Sequence, residues 1–236
     1  MIGIIDYGVG NLFSLRSSFE AIGEQVFVSG DAKELAKADR LILPGVGAFG
    51  DAAMKLRESG LDGFVLEQAA AGKPLMGICL GMQLLFERGF EYGDHQGLGL
   101  LKGNVVGMEG KISPDLKIPH IGWNALHFQQ KTCPLFKYIN EGDCVYFVHS
   151  FYAEGCEESL AATAEYGREL TAAVAKGNVF GCQFHPEKSG AVGLKILKAF
   201  CEVRSGIVDA ANSINIENPN VTPNSPATTI RITKAT

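Results

Sequence analysis

The sequence predicts one α/β domain: an open, mostly parallel sheet flanked by helices, with an added antiparallel portion. Three observations carry that prediction. Up to Cys79, short apolar runs alternate with stretches of helical spacing, as in parallel strands linked by helices. After about Leu98 the runs become short and alternating, with turn residues between them, which signals antiparallel pairing. A cysteine and a histidine stand at the carboxyl ends of apolar runs, where open α/β sheets bind their ligands.

Residues 2–6 form a short apolar strand. Gly8 and Gly10 make a turn, and Asn11 caps a helix running to about Ile22. This turn lacks the full glycine spacing of a dinucleotide site, and no acidic residue takes the ribose role, so no cofactor is assigned to it. Residues 25–28 are a second strand, Asp31 starts a short helix, and residues 40–43 are a third strand ending at Pro44-Gly45-Val46-Gly47. Helices follow near 49–58 and 61–71, ahead of the apolar strand 74–79. Further strand-like runs fall at 98–106, 124–128, 145–148, 160–165, 171–175 and 179–184, and a last helix covers about 192–203. From Ser205 the chain turns to Asn, Pro, Thr and Ser, and Asn218-Pro219, Pro223-Asn224 and Ser225-Pro226 break any regular pattern. The expected division is a domain at 1–203 and a flexible, low-complexity extension at 204–236.

Composition excludes several classes of function. The 236 residues are 46% apolar and 20% charged, normal for a globular domain with an ordinary core. The net charge of −5 is spread without a basic block, which argues against a nucleic-acid backbone as main partner. No apolar stretch approaches the ~20 residues of a membrane span. The first residues lack the basic and apolar segments of a signal peptide. The six cysteines form no C-x-x-C pair and no metal spacing, so free thiols in a reducing cytoplasm are expected, with no metal.

Cys79 sits in Gly77-Ile78-Cys79-Leu80-Gly81-Met82-Gln83, after an apolar run and before apolar residues at helical spacing. Strand, sharp turn and helix in that order hold a nucleophile exposed at an elbow. A helix starting there favours the thiolate. Alone, this motif also fits an inert core cysteine. A second motif shifts the balance: a strand ends at His185, Pro186 stops sheet pairing, and Glu187 is close enough to bond the far ring nitrogen of His185. A cysteine nucleophile needs a base, and the base needs an orienting group. Acyl transfer at a thiolate also needs fixed donors for the developing oxyanion, each worth roughly 3 kcal/mol in the barrier. The Leu80 N–H, next to the nucleophile, is one natural donor. The glycine-rich strand end at Gly45, Val46 and Gly47 offers another, since it can approach the thiol without side-chain clash.

Taken together, these segments resemble the class I (triad) glutamine amidotransferases, whose two signatures are Gly77–Gln83 and His185-Pro186-Glu187. Ile5–Leu12, Pro44–Phe49, Pro119-His120-Ile121-Gly122-Trp123-Asn124, Tyr146–Phe151 and His185–Ser189 narrow the likeness to the glutaminase subunits of imidazole glycerol phosphate synthase. The resemblance runs from Met1 to about Val203 and implies that family's fold. It implies Cys79, His185 and Glu187 as the triad, and Val46, Gly47 and Leu80 as the oxyanion hole. It further implies that Gly47, Gln83, Ser150 and Phe151 bind L-glutamine. The chain would hydrolyse glutamine to glutamate and pass the ammonia to a cyclase subunit, in a heterodimer that makes imidazole glycerol phosphate and aminoimidazole carboxamide ribotide. Asn11, Trp123 and Lys188 are the interface candidates. The competing readings are a paralogous subunit feeding another synthase, a stand-alone γ-glutamyl cysteine hydrolase, and a non-catalytic regulatory binder. The last would have lost part of the triad, and none is lost.

Overall fold

The computed structural model of the chain describes residues 1–206. Strands β1 (Ile2–Ile5), β2 (Val26–Ser29), β3 (Arg40–Leu43) and β4 (Leu75–Ile78) alternate with helices α1 (Leu12–Ala21), α2 (Ala32–Leu35), α3 (Phe49–Glu58) and α4 (Leu61–Ala70). A four-residue helix, α5 (Leu80–Gln83), follows β4 after one residue. Next come the short strands β5 (Arg88–Gly89), β6 (His95–Gln96), β7 (Asn104–Gly107), β8 (His120–Ala125) and β9 (His127–Phe128). Strands β10 (Cys144–His149), β11 (Phe151–Glu154), β12 (Leu160–Glu165), β13 (Glu169–Lys176) and β14 (Val179–Cys182) lead to α6 (Gly190–Cys201).

The main sheet has eight strands in the order β2-β1-β3-β4-β14-β13-β12-β9. The pairings from β2 through β14 are parallel, and those from β14 to β9 are antiparallel. The expected parallel sheet with an antiparallel addition is what forms. Two smaller sheets, β10-β8 and β11-β7-β5-β6, stand beside it.

Alternation along the central strands explains the layers. Ile4, Ile42, Met76 and Phe180 point to one face, where Leu15 and Phe19 of α1 and Leu197 and Phe200 of α6 cover them. Leu41, Leu43, Leu75 and Val179 point to the other, under Phe49 and Leu56 of α3 and Leu61 and Val65 of α4. Strands covered on both sides read as continuous apolar runs, and β1 and β4 are buried throughout. Among the described residues no helix is long and apolar enough to cross a membrane, and all six cysteines are free.

Three expectations change, and one falls mostly outside the described residues. The run 98–106 is a strand only over Asn104–Gly107. Phe151–Glu154 is a strand of its own, pairing with β7, whereas the preceding β10 pairs with β8. The strand before His185 stops at Cys182, three residues short of the histidine. Of the extension expected at 204–236, residues 207–236 lie outside the described residues.

Candidate active site

The elbow after β4 is a strained turn held by close packing. Cys79 adopts φ +54°, rare for a residue with a side chain and costing roughly 1–3 kcal/mol. Neighbouring backbone enforces it: the Cys79 N–H donates to the Cys182 carbonyl at 2.8 Å. A Cβ on Gly81 would lie 1.9 Å from the Leu43 carbonyl oxygen, and one on Gly45 2.6 Å from the Gly81 nitrogen. The end of β3 is thus pressed against the elbow, which only glycines allow. Gly81→Ala is expected to cost at least ~3 kcal/mol, because the clash is with backbone that cannot give way. Chemical denaturation with a midpoint near wild type would contradict this packing. The helix beyond Cys79 is a single turn, so its macrodipole is smaller than the sequence suggested. What remains for an anion is its first N–H, on Leu80, which has no partner within the helix.

Cys79 and His185 line the same cleft of about 390 Å³. His185 Nδ1 bonds Glu187 Oε1 at 2.8 Å, and the two side chains are 4% and 1% exposed, which puts this pair out of solvent. The bond fixes the ring and leaves Nε2 as the nitrogen free for Cys79. Burial alone lowers the proton affinity of His185. Hydrogen bonds to Cys79 and Glu187, with the charge of both, outweigh it and push its pKa up to about 9. Two backbone links seat the histidine: its N–H donates to Tyr146 O at 3.0 Å, and its carbonyl accepts from Ser189 Oγ at 2.7 Å.

Val46, Gly47, Leu80, Gln83, Ser150 and Phe151 line this cleft too, so the expected oxyanion and substrate residues converge on Cys79. Val46 and Gly47 are exposed to it, and Gly47 has φ +96°. Just before them, the buried Tyr7 hydroxyl donates to the Pro44 carbonyl at 2.7 Å, clamping the base of this segment. Burial, then the charge of Cys79, holds the Tyr7 phenol above its ordinary range, so it stays a donor.

The structure adds residues that the sequence reading missed. Glu91 lines the cleft and its Oε2 accepts from the Phe49 N–H at the start of α3. His149 also lines it, and its Nδ1–H donates to the Phe151 carbonyl at 2.8 Å. Burial drives the His149 pKa down to about 3, so the ring is neutral. Gln183, wholly buried, donates from Nε2 to Cys79 Sγ at 3.8 Å.

Of the interface candidates, Asn11 caps α1 through its side-chain oxygen, accepting from the Ser14 N–H. Trp123 stands in β8 rather than a turn, opposite Tyr146, and is 55% exposed. Lys188 is exposed at the rim of the cleft. Among the described residues no cluster fit for a metal ion occurs.

Residues 3–203 match the family described as glutamine amidotransferase class-I. The chain is 52% identical over 204 residues to the imidazole glycerol phosphate synthase subunit HisH of Caldanaerobacter subterraneus subsp. tengcongensis, covering 86% of this chain and 98% of that one. It is 50% identical over 202 residues to the subunit of the same name from Lactococcus lactis subsp. lactis, covering 85% and 98%. In fold it is similar to a Thermotoga maritima PurLQS structure, with TM-score 0.67 and 24% identity over 85% of this chain and 96% of that one.

Proposed function

The chain belongs to the class I glutamine amidotransferases and, within them, to the HisH subunits of imidazole glycerol phosphate synthase; from that premise we infer how its cleft hydrolyses L-glutamine and where the ammonia goes. The Cys79 thiolate adds to the side-chain carbonyl carbon of glutamine. The oxyanion is met by the Leu80 N–H and by the Val46–Gly47 backbone. His185 gives its proton to the departing nitrogen, the C–N bond breaks, and ammonia leaves. Water, deprotonated by His185, then splits the glutamyl thioester, releasing glutamate and returning the thiolate beside a protonated His185. Glu187 keeps the His185 ring oriented and offsets its charge.

Gln83 supports the amino-acid end of the substrate. Its two N–H groups are taken by Phe151 O and Gln183 Oε1, so Oε1 is the atom it offers, suited to an ammonium. Ser150 and Phe151 add backbone contacts, with Gly47 opposite. The observation that carries this reading is the shared cleft of Cys79 and His185, with His185 bonded to Glu187 at 2.8 Å.

The acceptor site is on a second chain, the cyclase subunit, which uses the ammonia to make imidazole glycerol phosphate and aminoimidazole carboxamide ribotide. Asn11, Trp123 and Lys188 face it in the heterodimer, supported by the exposure of Trp123 and the place of Lys188 at the rim. The free thiols support a cytoplasmic setting. Glutaminase assayed on the chain alone, with the cyclase, and with the cyclase plus its nucleotide ligand tests the pairing. A rise of about tenfold or more on adding both is expected. An equal, full rate without the partner would support the stand-alone hydrolase instead.

A further inference from the structure

We propose that Gln183 is a positioning residue that aims an amide N–H at the sulfur of Cys79 and so holds the nucleophile as a thiolate in its attacking rotamer; this rests on the reading of Cys79 as nucleophile. One atom beside the cleft has a fixed hydrogen-bonding role. The Phe151 carbonyl oxygen can only accept. It takes Gln83 Nε2 at 3.1 Å and His149 Nδ1 at 2.8 Å. The Gln83 amide must therefore present nitrogen on this side, and its other N–H reaches Gln183 Oε1 at 2.9 Å. That contact fixes the Gln183 amide in turn, leaving Nε2 on the far side, 3.8 Å from Cys79 Sγ. Flipping Gln183 would set N–H against N–H at Gln83 and bring a carbonyl oxygen to the sulfur. Flipping Gln83 would set oxygen against the Phe151 carbonyl. The polarity of two side-chain amides is thus dictated by a backbone carbonyl on the other side of the cleft.

Burial gives this arrangement its force. Gln183 is 0% and Gln83 4% exposed, so water does not compete for either amide. A neutral thiol is a poor acceptor, whereas an anionic sulfur makes a charge-assisted bond. An N–H fixed on the sulfur therefore favours the ionised form. The donor is rooted in β14's extension, which also carries His185, so one short segment presents both the base and the N–H. The same chain of bonds ties the substrate-binding Gln83 to the nucleophile, so a glutamine seated on Gln83 Oε1 meets a sulfur already oriented.

The test is the pH profile of Cys79 alkylation by iodoacetamide in the full chain, read as modification of the Cys79 peptide by mass, because Cys144 is an exposed thiol that the reagent also reaches. The titratable groups around the sulfur are His185, Glu187, Tyr7 and Cys182, with Glu91, His149 and Lys188 in the same cleft, and the variants leave all seven in place. Gln183→Glu, which puts an anion where the N–H stood, and Gln183→Met, which keeps the volume, are both expected to move the alkylation midpoint to higher pH. At neutral pH both should slow alkylation about tenfold, with glutaminase kcat reduced and KM within about twofold. Folded variants with an unmoved midpoint, or with KM raised and kcat intact, would overturn the proposal. In wild-type protein carrying ¹⁵N-labelled glutamine, the Gln183 side-chain resonances should titrate together with Cys79. Absence of that titration overturns it even if neither variant folds. A Cys79→Ala control keeps the two readings apart: glutaminase surviving in that variant refutes the nucleophile itself rather than the role of Gln183.

Discussion

Cys79→Ala is expected to abolish glutamine hydrolysis, lowering kcat on the order of a million-fold, while the cyclase partner retains synthesis from added ammonia. The size follows from the chemistry. Covalent catalysis divides amide hydrolysis into two easier steps, and alanine leaves no atom able to form the thioester. The split between the two activities follows from the arrangement of sites. The cleft of about 390 Å³ accommodates an amino acid, and in the proposed heterodimer the acceptor chemistry falls to the other subunit. Assay of the complex with glutamine and with ammonia separates the two. Loss of both activities in a folded complex would contradict separate sites. The substitution itself is small, and Cys79 is 8% exposed, so the fold should survive it.

His185→Ala should cut glutaminase kcat by at least ~10³-fold with KM changed little, since the ring acts on protons rather than on substrate binding. Near-wild-type turnover would remove the imidazole from the mechanism. A second consequence concerns stability. The pKa of His185 rises from 6.5 unfolded to about 9 folded, which corresponds to roughly 3 kcal/mol favouring the protonated native state. Because the folded value is the higher one, that contribution is complete below pH 6.5 and is lost as pH rises through 9. Wild type minus His185→Ala stability, from denaturant midpoints, should therefore shrink between those values. A difference that grows with pH would show that the ring is held neutral.

Much of this site was legible in the sequence because its chemistry is local. Cys79 and its flanking glycines are one elbow, and His185 with Glu187 is one turn. Gln83 follows from the spacing of one helical turn, although α5 is no longer than that turn. What stayed hidden depends on tertiary contact. Glu91 lies between β5 and β6 beside Tyr92, whose φ of +55° no local pattern announces. Gln183 is a buried glutamine whose role exists only through Gln83, a hundred residues away. β11 escaped notice because only Ser150 separates it from β10, and the run reads as continuous. The chain changes sheets at that serine, and this places Phe151 O where Gln83 and His149 converge.

The most direct measurement uses an electrophilic analogue of glutamine with a chloroketone in place of the amide. Peptide mass analysis is predicted to find one label per chain, on Cys79, suppressed by L-glutamine and lost in step with glutaminase activity. Inactivation with Cys79 unlabelled, and the adduct on Cys144 or on any other side chain, would contradict the account at its centre.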